Sequence, residues 1–263
     1  MNHHFGKVWK SYLDQHFSAE RVEDARNSIL GFLDRQDLNG LSMIDIGCGS
    51  GLFSYAAFES GACPLFSVDY DGLAVDCAKR LWEHAGKPQD WNIQQGSILN
   101  DPKALNIPRS DLVYAWGTLQ HTGDMWKAFR HSAEMIKPGG LFYVAVYNEV
   151  SGVGLRSSKF WIEVKRIYSR LPTLFQEIVF WLFKAGFSIV RLLRFQKPVK
   201  AMRRGMDHDV NLRAWLGAWP CEFAKADKVI RFCEGELRLK VIRTHLTDRL
   251  ANNEFLFQKP FDL

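Results

Sequence analysis

The chain has 263 residues, of which 47% are hydrophobic and 24% charged, and this composition excludes intrinsic disorder, collagen and low-complexity arrays. The length predicts one large domain, or one domain with an insert. The formal net charge is +5, but twelve basic and only two acidic residues lie between Arg156 and Arg204, so that segment carries +10 and the rest of the chain −5. The basic character therefore belongs to one region of the chain.

The cysteines and the first residues indicate the compartment. The five cysteines are odd in number, and no two of them form a C-x-x-C pair, which disfavours a disulfide framework and structural zinc. Residues 1–7 are polar and lack the apolar stretch of a secretory signal. We therefore predict a cytoplasmic protein without a metal site.

Strand and helix patterns alternate along the first 150 residues. Helical spacing over residues 5–35 predicts two helices, and Pro138-Gly139-Gly140 is predicted to end a later helix at 124–137 and to start the next strand. The alternation predicts an open parallel sheet with helices on both faces. The predicted strands are Leu41–Ile46, Leu65–Val68, Trp91–Gln95, Leu112–Trp116 and Leu141–Tyr147, and the other predicted helices are 52–60 and 73–85.

The alternation stops after residue 150. Two or three helical patterns follow, and then a helix at 222–234 and strands at 237–244 and 255–257 are predicted to complete the sheet. The predicted organisation is N-terminal helices over 1–40, a core over 41–150, a basic helical insert or lid over 151–211, and a C-terminal helix and strands over 212–263.

A glycine-rich loop follows the first predicted strand and opens a helix. In Asp45 to Gly51 the glycines alternate with other residues, which lets backbone N–H groups approach a ligand at a helix N-terminus. A dinucleotide fingerprint needs glycine at the sixth position from Gly47, but that residue is Leu52. The loop therefore disfavours a nicotinamide oxidoreductase and suits a ligand with a compact, charged amino-acid end. A tight turn without a ligand is the alternative.

Polar residues follow the next two strands. Asp69 ends the second strand, 24 residues after Asp45, near the spacing at which a carboxylate binds ribose hydroxyls. The third strand ends in Gln95-Gly96-Ser97, where a polar side chain is placed to meet an adenine edge. The alternatives are a helix cap at Asp69 and an ordinary turn at Gly96.

Asp45 to Gly51, Asp69, Gly96-Ser97 and Lys137 to Gly140 resemble the successive motifs of class I S-adenosylmethionine-dependent methyltransferases. The resemblance covers about residues 41–148. Several segments also resemble a bacterial branch of that superfamily. They are W-G-x-L-x-H-T-G-D at 116–124, W-L-G-x-W-P-x-E at 215–222, and the segments 146–148, 204–206 and 253–255. The resemblance implies a Rossmann-like seven-stranded methyltransferase sheet, S-adenosyl-L-methionine as cofactor, and a small-molecule or glycan-type acceptor.

The resemblance also implies site residues. His121 follows the fourth strand at the carboxyl edge of the sheet, where open α/β folds bind ligands, and its imidazole is the candidate base for a hydroxyl acceptor. A histidine that orders the loop or caps the helix starting near Asp124 is the alternative. Tyr147 and Asn148 end the fifth strand and have either an acceptor-binding or a structural role. The predicted cofactor-binding residues are Asp45, Gly47, Gly49, Gly51, Asp69, Tyr70, Gly96, Ser97, Trp116 and Leu119.

Two positions depart from the branch. Gln120 stands where its members usually have a histidine, and Ala214 where they usually have an aspartate. If Gln120 replaces the working histidine, the chain is a catalytically impaired, cofactor-binding regulatory or assembly protein. If His121 is the working residue, activity is kept.

The basic region contains an apolar stretch from Leu171 to Phe195, but charges such as Glu177 and Lys184 interrupt it, so we predict no membrane-spanning helix. Two interpretations remain: a lid over the acceptor pocket, or peripheral contact of 171–204 with an anionic membrane. The positive field favours an acidic or phosphate-bearing acceptor, and a solvated basic face without a partner is the alternative. Nucleic acid is a weaker candidate because no recognition motif accompanies the charge.

Overall fold

A computed structural model of the protein describes residues 5–193 and 207–262. The strands are β1 (Met43–Ile46), β2 (Leu65–Asp69), β3 (Trp91–Gln95), β4 (Ser110–Trp116), β5 (Ile136–Tyr147), β6 (Lys240–His245) and β7 (Asn252–Gln258). The helices are α1 (Phe5–His16), α2 (Ala19–Leu33), α3 (Leu52–Glu59), α4 (Gly72–His84), α5 (Met125–Glu134), α6 (Ser158–Tyr168), α7 (Thr173–Leu193), α8 (His208–Gly217) and α9 (Ala226–Gly235).

The strands form one seven-stranded sheet in the order β3-β2-β1-β4-β5-β7-β6. Strands β1 to β5 are parallel, whereas β7 is antiparallel to both β5 and β6. The strand order reverses between β1 and β4, so the loops that follow these two strands diverge and leave a crevice. The predicted seven-stranded α/β sheet is confirmed.

Two apolar cores cover the two faces of the sheet. One is built with side chains of α1 to α4 and the other with side chains of α5 and α9. A third, smaller core joins α6, α7 and α8 through Trp161, Tyr168, Phe180, Leu212 and Leu216. The insert therefore packs around apolar contacts of its own.

The prediction that Pro138-Gly139-Gly140 ends a helix was wrong. Helix α5 ends at Glu134, and β5 already pairs with β4 at Ile136. Between the pairs Ser110–Ile136 and Leu112–Leu141 the register shifts, so the proline lies in an irregular part of β5. Proline has no N–H to donate to a regular ladder, and a bulge accommodates it.

Two helices in the C-terminal part of the chain begin at positions that the sequence pattern did not predict. Helix α8 crosses the predicted boundary at 211/212 and packs against both α1 and α6. The last helix begins at Ala226 rather than at 222, because Ala224 N–H donates to the Tyr147 carbonyl and holds the chain against β5. The predicted motif at 204–206 and the basic residues between 194 and 206 lie outside the described residues.

Candidate active site

A cavity of about 430 Å³ lies at the carboxyl ends of β1 to β4. This is the crevice in which α/β folds bind ligands, and the volume suits a small molecule. The loops after the four strands contribute Gly47, Asp69, Tyr70, Asp71, Gly96, Ser97, Ile98, Leu99, Asn100, Trp116, Gly117, Thr118, His121 and Thr122 to the lining.

Gly47 brings two of these loops into close contact. Its φ is +76°, and a Cβ placed on it would lie 2.2 Å from Thr118 Cγ2. Its N–H donates to the Val68 carbonyl at 2.7 Å. Any side chain at this position would fill the space between the loops, so the glycine leaves backbone exposed to a ligand.

Asp69 ties the glycine loop to the end of β2. Its Oδ2 accepts from Gly49 N–H and its Oδ1 from Asp71 N–H, both at 2.9 Å. Burial raises the pKa of the Asp69 carboxyl, and the bonds from the Asp71 and Gly49 amides oppose that rise. A carboxylate accepts about four hydrogen bonds, so Asp69 has capacity for ligand hydroxyls in the cavity that it lines.

Asp45 lies beneath the loop and does not line the cavity. It ends a chain of hydrogen bonds in which Trp91 Nε1–H donates to Ser67, Ser67 to Ser54, and Ser54 to Asp45. Burial raises the pKa of Asp45 to about 7; the Ser54 bond opposes the rise and the charge of Asp69 adds to it. Asp45 therefore supports the loop from inside the core.

Helix α1 forms a wall that the sequence did not indicate. Phe5 and Trp9 line the cavity, and Trp9 Nε1 lies 3.0 Å from the position that a Cβ would take at Gly49. The two aromatic residues are one helical turn apart and so share a face, but their spacing alone does not distinguish a cavity wall from a core.

One carboxylate docks this helix at the site. Asp71 Oδ2 accepts from Gly6 N–H at 2.8 Å, and Oδ1 accepts from Leu73 N–H at 2.9 Å. Asp71 therefore caps the first turns of α1 and α4 together. An ion pair between Asp14 and Arg80 at 2.7 Å links the same two helices further along.

His121 lines the cavity with a defined tautomer. Its Nδ1 lies 2.8 Å from the Pro220 carbonyl oxygen. Because a carbonyl only accepts, Nδ1 carries the proton, and the neutral ring has its lone pair at Nε2. The rings of Phe5 and Tyr147 flank the imidazole at centroid distances of 5.5 and 5.3 Å.

The segment Trp219–Glu222 holds the turn that carries His121. Pro220 accepts from the imidazole, and Glu222 N–H donates to the Gln120 carbonyl at 2.9 Å. The Glu222 carboxylate accepts from Met125 N–H at 2.8 Å, at the start of α5. This segment therefore fixes both the 3₁₀ turn Leu119–His121 and the helix after it.

Successive side chains of that turn point in different directions. Leu119 is fully buried in the core with α5. Gln120 is also fully buried, and neither its Nε2 nor its Oε1 has a hydrogen-bond partner among the described residues. Only His121 of the three lines the cavity, so the glutamine does not occupy the position of a base.

Not all the predicted cofactor residues reach the cavity. Leu119, Asp45, Gly49 and Gly51 are outside its lining, and the structure places Leu119 in the core rather than at the predicted wall. The predicted residues that it brings together are Gly47, Asp69, Tyr70, Gly96, Ser97 and Trp116.

The residues at the end of β5 contact protein rather than the cavity. Tyr147 is packed against Phe223 at 5.3 Å. Asn148 Nδ2–H donates to the Thr247 carbonyl at 2.8 Å. Lys165 of α6 is fully buried and donates to the Trp215 carbonyl, and burial lowers its pKa to about 8. These contacts join the insert to the edge of the site.

The cavity has an acidic lining. Asp69 and Asp71 lie in it, and none of the described residues that line it is Lys or Arg. A dinucleotide pyrophosphate would therefore face carboxylates without a cationic side chain. Among the described residues, no cluster of His, Cys, Asp or Glu is placed to hold a metal ion. The lining suits a ligand with hydroxyls and a positive charge.

Comparison with known sequences matches the chain to one protein family. The sequence model of the family described as Methyltransferase domain matches residues 15–192. Ubiquinone biosynthesis O-methyltransferase of Methylobacterium sp. (strain 4-46) is 34% identical over 116 residues, which is 44% of this chain and 45% of that protein. Its namesake from Rhizobium rhizogenes is 27% identical over 146 residues, 56% of this chain and 54% of that protein. The chain thus matches about half the length of these curated relatives.

Solved structures share the fold. Magnesium protoporphyrin IX methyltransferase from Synechocystis PCC 6803, solved with bound SAH, superposes with a TM-score of 0.56 at 14% identity, over 96% of this chain and 93% of that chain. An S-adenosylmethionine-dependent methyltransferase from Mesorhizobium loti superposes with a TM-score of 0.54 at 15% identity, over 90% of this chain and 100% of that chain. At these identities the likeness concerns the fold.

Proposed function

Because this chain belongs to the Methyltransferase domain family, we propose that it transfers a methyl group from S-adenosylmethionine to an oxygen atom of a small-molecule acceptor. The observation that carries the proposal is that Asp69 and His121 line the same cavity. We assign the Asp69 carboxylate to the ribose hydroxyls and the His121 imidazole to the proton of an acceptor hydroxyl.

The residues present fit this cofactor. Asp69 has acceptor capacity for ribose hydroxyls, and Ile98 and Leu99 give an apolar surface for an adenine ring. The backbone at Gly47 is exposed where a Cβ would otherwise fill the space, which suits the amino-acid end. When bound, the cofactor supplies an electrophilic methyl carbon on a sulfonium.

His121 performs the proton transfer. With the cofactor bound, its sulfonium would supply the methyl group to the acceptor oxygen, and Nε2 of His121 would take the proton of the acceptor hydroxyl. The Pro220 carbonyl, 2.8 Å from Nδ1, orients the ring and stabilises the imidazolium. A positioned base of this kind contributes about 10²- to 10⁴-fold to the rate.

The lining favours an uncharged hydroxyl on the acceptor. The expectation of an acidic acceptor came from the basic insert, but no described residue of the insert lines the cavity. An anionic group would instead meet Asp69 and Asp71. Both curated relatives described above are named O-methyltransferases, which supports oxygen as the methylated atom; a glycan-type hydroxyl remains one of the acceptor classes proposed.

Calorimetry tests cofactor binding. We expect the purified chain to bind S-adenosylhomocysteine with micromolar affinity or better and not to bind NAD. Binding of NAD alone would overturn the proposal, because it would place the chain among nicotinamide enzymes.

Turnover is tested with methyl-labelled S-adenosylmethionine and a small-molecule extract of the host. Labelled product in the extract, absent with the His121→Ala variant, is the expected result. Cofactor binding without any labelled product would instead favour the second candidate, a catalytically impaired regulatory or assembly protein, which Gln120 and Ala214 suggest.

A further inference from the structure

Helix α7 has an apolar side that no described part of the protein covers. Six large side chains on one side of the helix are between 47% and 69% exposed. We call this side the outer face of α7; it consists of Leu174, Phe175, Ile178, Trp181, Leu182 and Ile189. A helix at the surface of a soluble domain normally has polar residues on its outward side.

The opposite side of α7 holds the helix in place. Phe180 is buried, and it packs with Trp161 and Leu212 in the small core of the insert. Glu177 pairs with Arg213 of α8, and Lys184 pairs with Asp209 of the same helix. The orientation of the helix, and so the exposure of its outer face, is therefore set by specific contacts.

The outer face does not serve the cavity. No described residue of α7 lines the cavity, whose wall comes from α1. No helix in the described ranges is long and apolar enough to cross a bilayer. The described residues of α7 therefore give no support to a lid over the cavity, and their exposed apolar side chains favour a helix lying along an interface.

The charge of the insert, counted from its sequence, suits an anionic surface. The segment from Arg156 to Arg204 carries +10, and both of its acidic residues are paired, Glu163 with Arg166 and Glu177 with Arg213. Exposed basic residues on the described part of the segment include Lys159 and Arg170. Each Lys or Arg near an anionic bilayer contributes about 1 kcal/mol.

We propose that the outer face of α7 inserts into the headgroup region of an anionic lipid bilayer, with the exposed basic residues Lys159 and Arg170 at the lipid phosphates. Apolar area combined with positive charge is the pattern of interfacial helices. A second copy of the chain fits less well, since two segments of +10 would repel each other at a shared interface. The proposal does not depend on the acceptor or on the reaction.

Flotation with vesicles tests the proposal on the full chain. We expect the protein to float with vesicles of equal phosphatidylcholine and phosphatidylglycerol, to remain unbound with phosphatidylcholine alone, and to be released by high salt. The double variant Leu174→Gln/Leu182→Gln should lower the partition coefficient by at least about tenfold, because two exposed apolar side chains no longer enter the lipid. Lys159→Ser/Arg170→Ser should weaken binding to the anionic vesicles and make the remaining binding less sensitive to salt.

The matched control is Ile242→Gln/Leu246→Gln, which changes two apolar residues that are each 48% exposed on or beside β6. It should float as the wild type does. Circular dichroism and the melting temperature show whether each variant folds. Equal flotation of the Leu174/Leu182 variant and the control would overturn the proposal, as would a wild-type dimer that binds no vesicle and that the Leu174/Leu182 variant dissociates in light scattering.

Discussion

The Nδ1 of His121 donates to the carbonyl oxygen of Pro220 at 2.8 Å, across 99 positions of sequence. This contact selects one tautomer and turns the ring toward the cavity. It predicts that His121→Ala lowers turnover by about 10²- to 10⁴-fold, while the affinity for S-adenosylhomocysteine stays within about twofold of the wild type, since a base adds little to ground-state binding.

The matched control is His131→Ala. His131 Nδ1 also lies close to a backbone carbonyl, that of Ile98 at 2.7 Å, but His131 is not in the cavity lining. Its loss should leave turnover near the wild-type rate. If His121→Ala lowered the affinity for S-adenosylhomocysteine but not the turnover, the role of His121 as base would be contradicted.

Asp69 is expected to hold the cofactor by charge-assisted hydrogen bonds. Asp69→Asn puts a donor where the carboxylate accepts from Gly49 and Asp71. The dissociation constant for S-adenosylhomocysteine should rise about ten- to hundredfold, which is the effect of losing a hydrogen bond to a charged group. Asp101→Asn is the control, because Asp101 accepts from Lys103 N–H in a similar cap outside the cavity. Equal affinities for the two variants would exclude Asp69 from the site.

Asp45 makes stability depend on pH. Its pKa is about 7 in the folded protein because it is buried, while in the unfolded chain it is near 4. Between these values the folded state binds the extra proton, so the free energy of unfolding falls as pH rises from about 4 to about 7, by an amount on the order of a few kcal/mol. Asp45→Asn should remove this component.

Urea unfolding of the wild type and of Asp45→Asn at several pH values measures the effect. Asparagine keeps an oxygen that accepts from Ser54, so the variant should fold. Parallel pH profiles of the two proteins would show that folding leaves the pKa of Asp45 unchanged, contrary to the expectation.

Gln120 has a buried amide without a partner in the described part of the chain. Gln120→Met removes two desolvated polar atoms at nearly constant volume, and we expect a gain of about 1 kcal/mol in the free energy of unfolding with unchanged cofactor affinity. The control is Gln176→Met, since Gln176 Nε2–H donates to the carbonyls of Tyr168 and Leu171; that variant should be less stable than the wild type. Destabilisation of both variants to the same degree would mean that the Gln120 amide is satisfied, for example by a buried water.

Trp9 of α1 is expected to shield the bound cofactor. Trp9→Ala removes an aromatic ring that lines the cavity beside Gly49, so the affinity for S-adenosylhomocysteine should fall about tenfold through lost apolar contact. Stopped-flow displacement should show most of the change in the dissociation rate. Trp82→Ala removes a partly buried tryptophan of α4 outside the cavity and should leave that rate unchanged. An equal increase of the dissociation rate in both variants would indicate a general destabilisation of the fold rather than a role of Trp9 at the cofactor.

Local patterns predicted the strands of the sheet and several of the residues that line the cavity. Alternating strand and helix periods predicted β1 to β5, since each period depends on residues close together in sequence. The loop at Gly47 and the acid at Asp69 were predicted for the same reason, and both line the cavity. The cofactor contacts assigned to these residues remain predictions, as does the division of the chain at 150 and 211.

Tertiary contacts decided the rest. The wall formed by Trp9 depends on a carboxylate at Asp71, far along the chain from Gly6. Leu119 and His121 are two positions apart, yet one is in the core and the other in the cavity, because the tight turn between them is held by Pro220 and Glu222. The sequence by itself determined which segments become strands and where the glycine loop lies. Packing between distant segments decided which side chains face the cavity, because the free energy of that packing does not depend on the local sequence pattern.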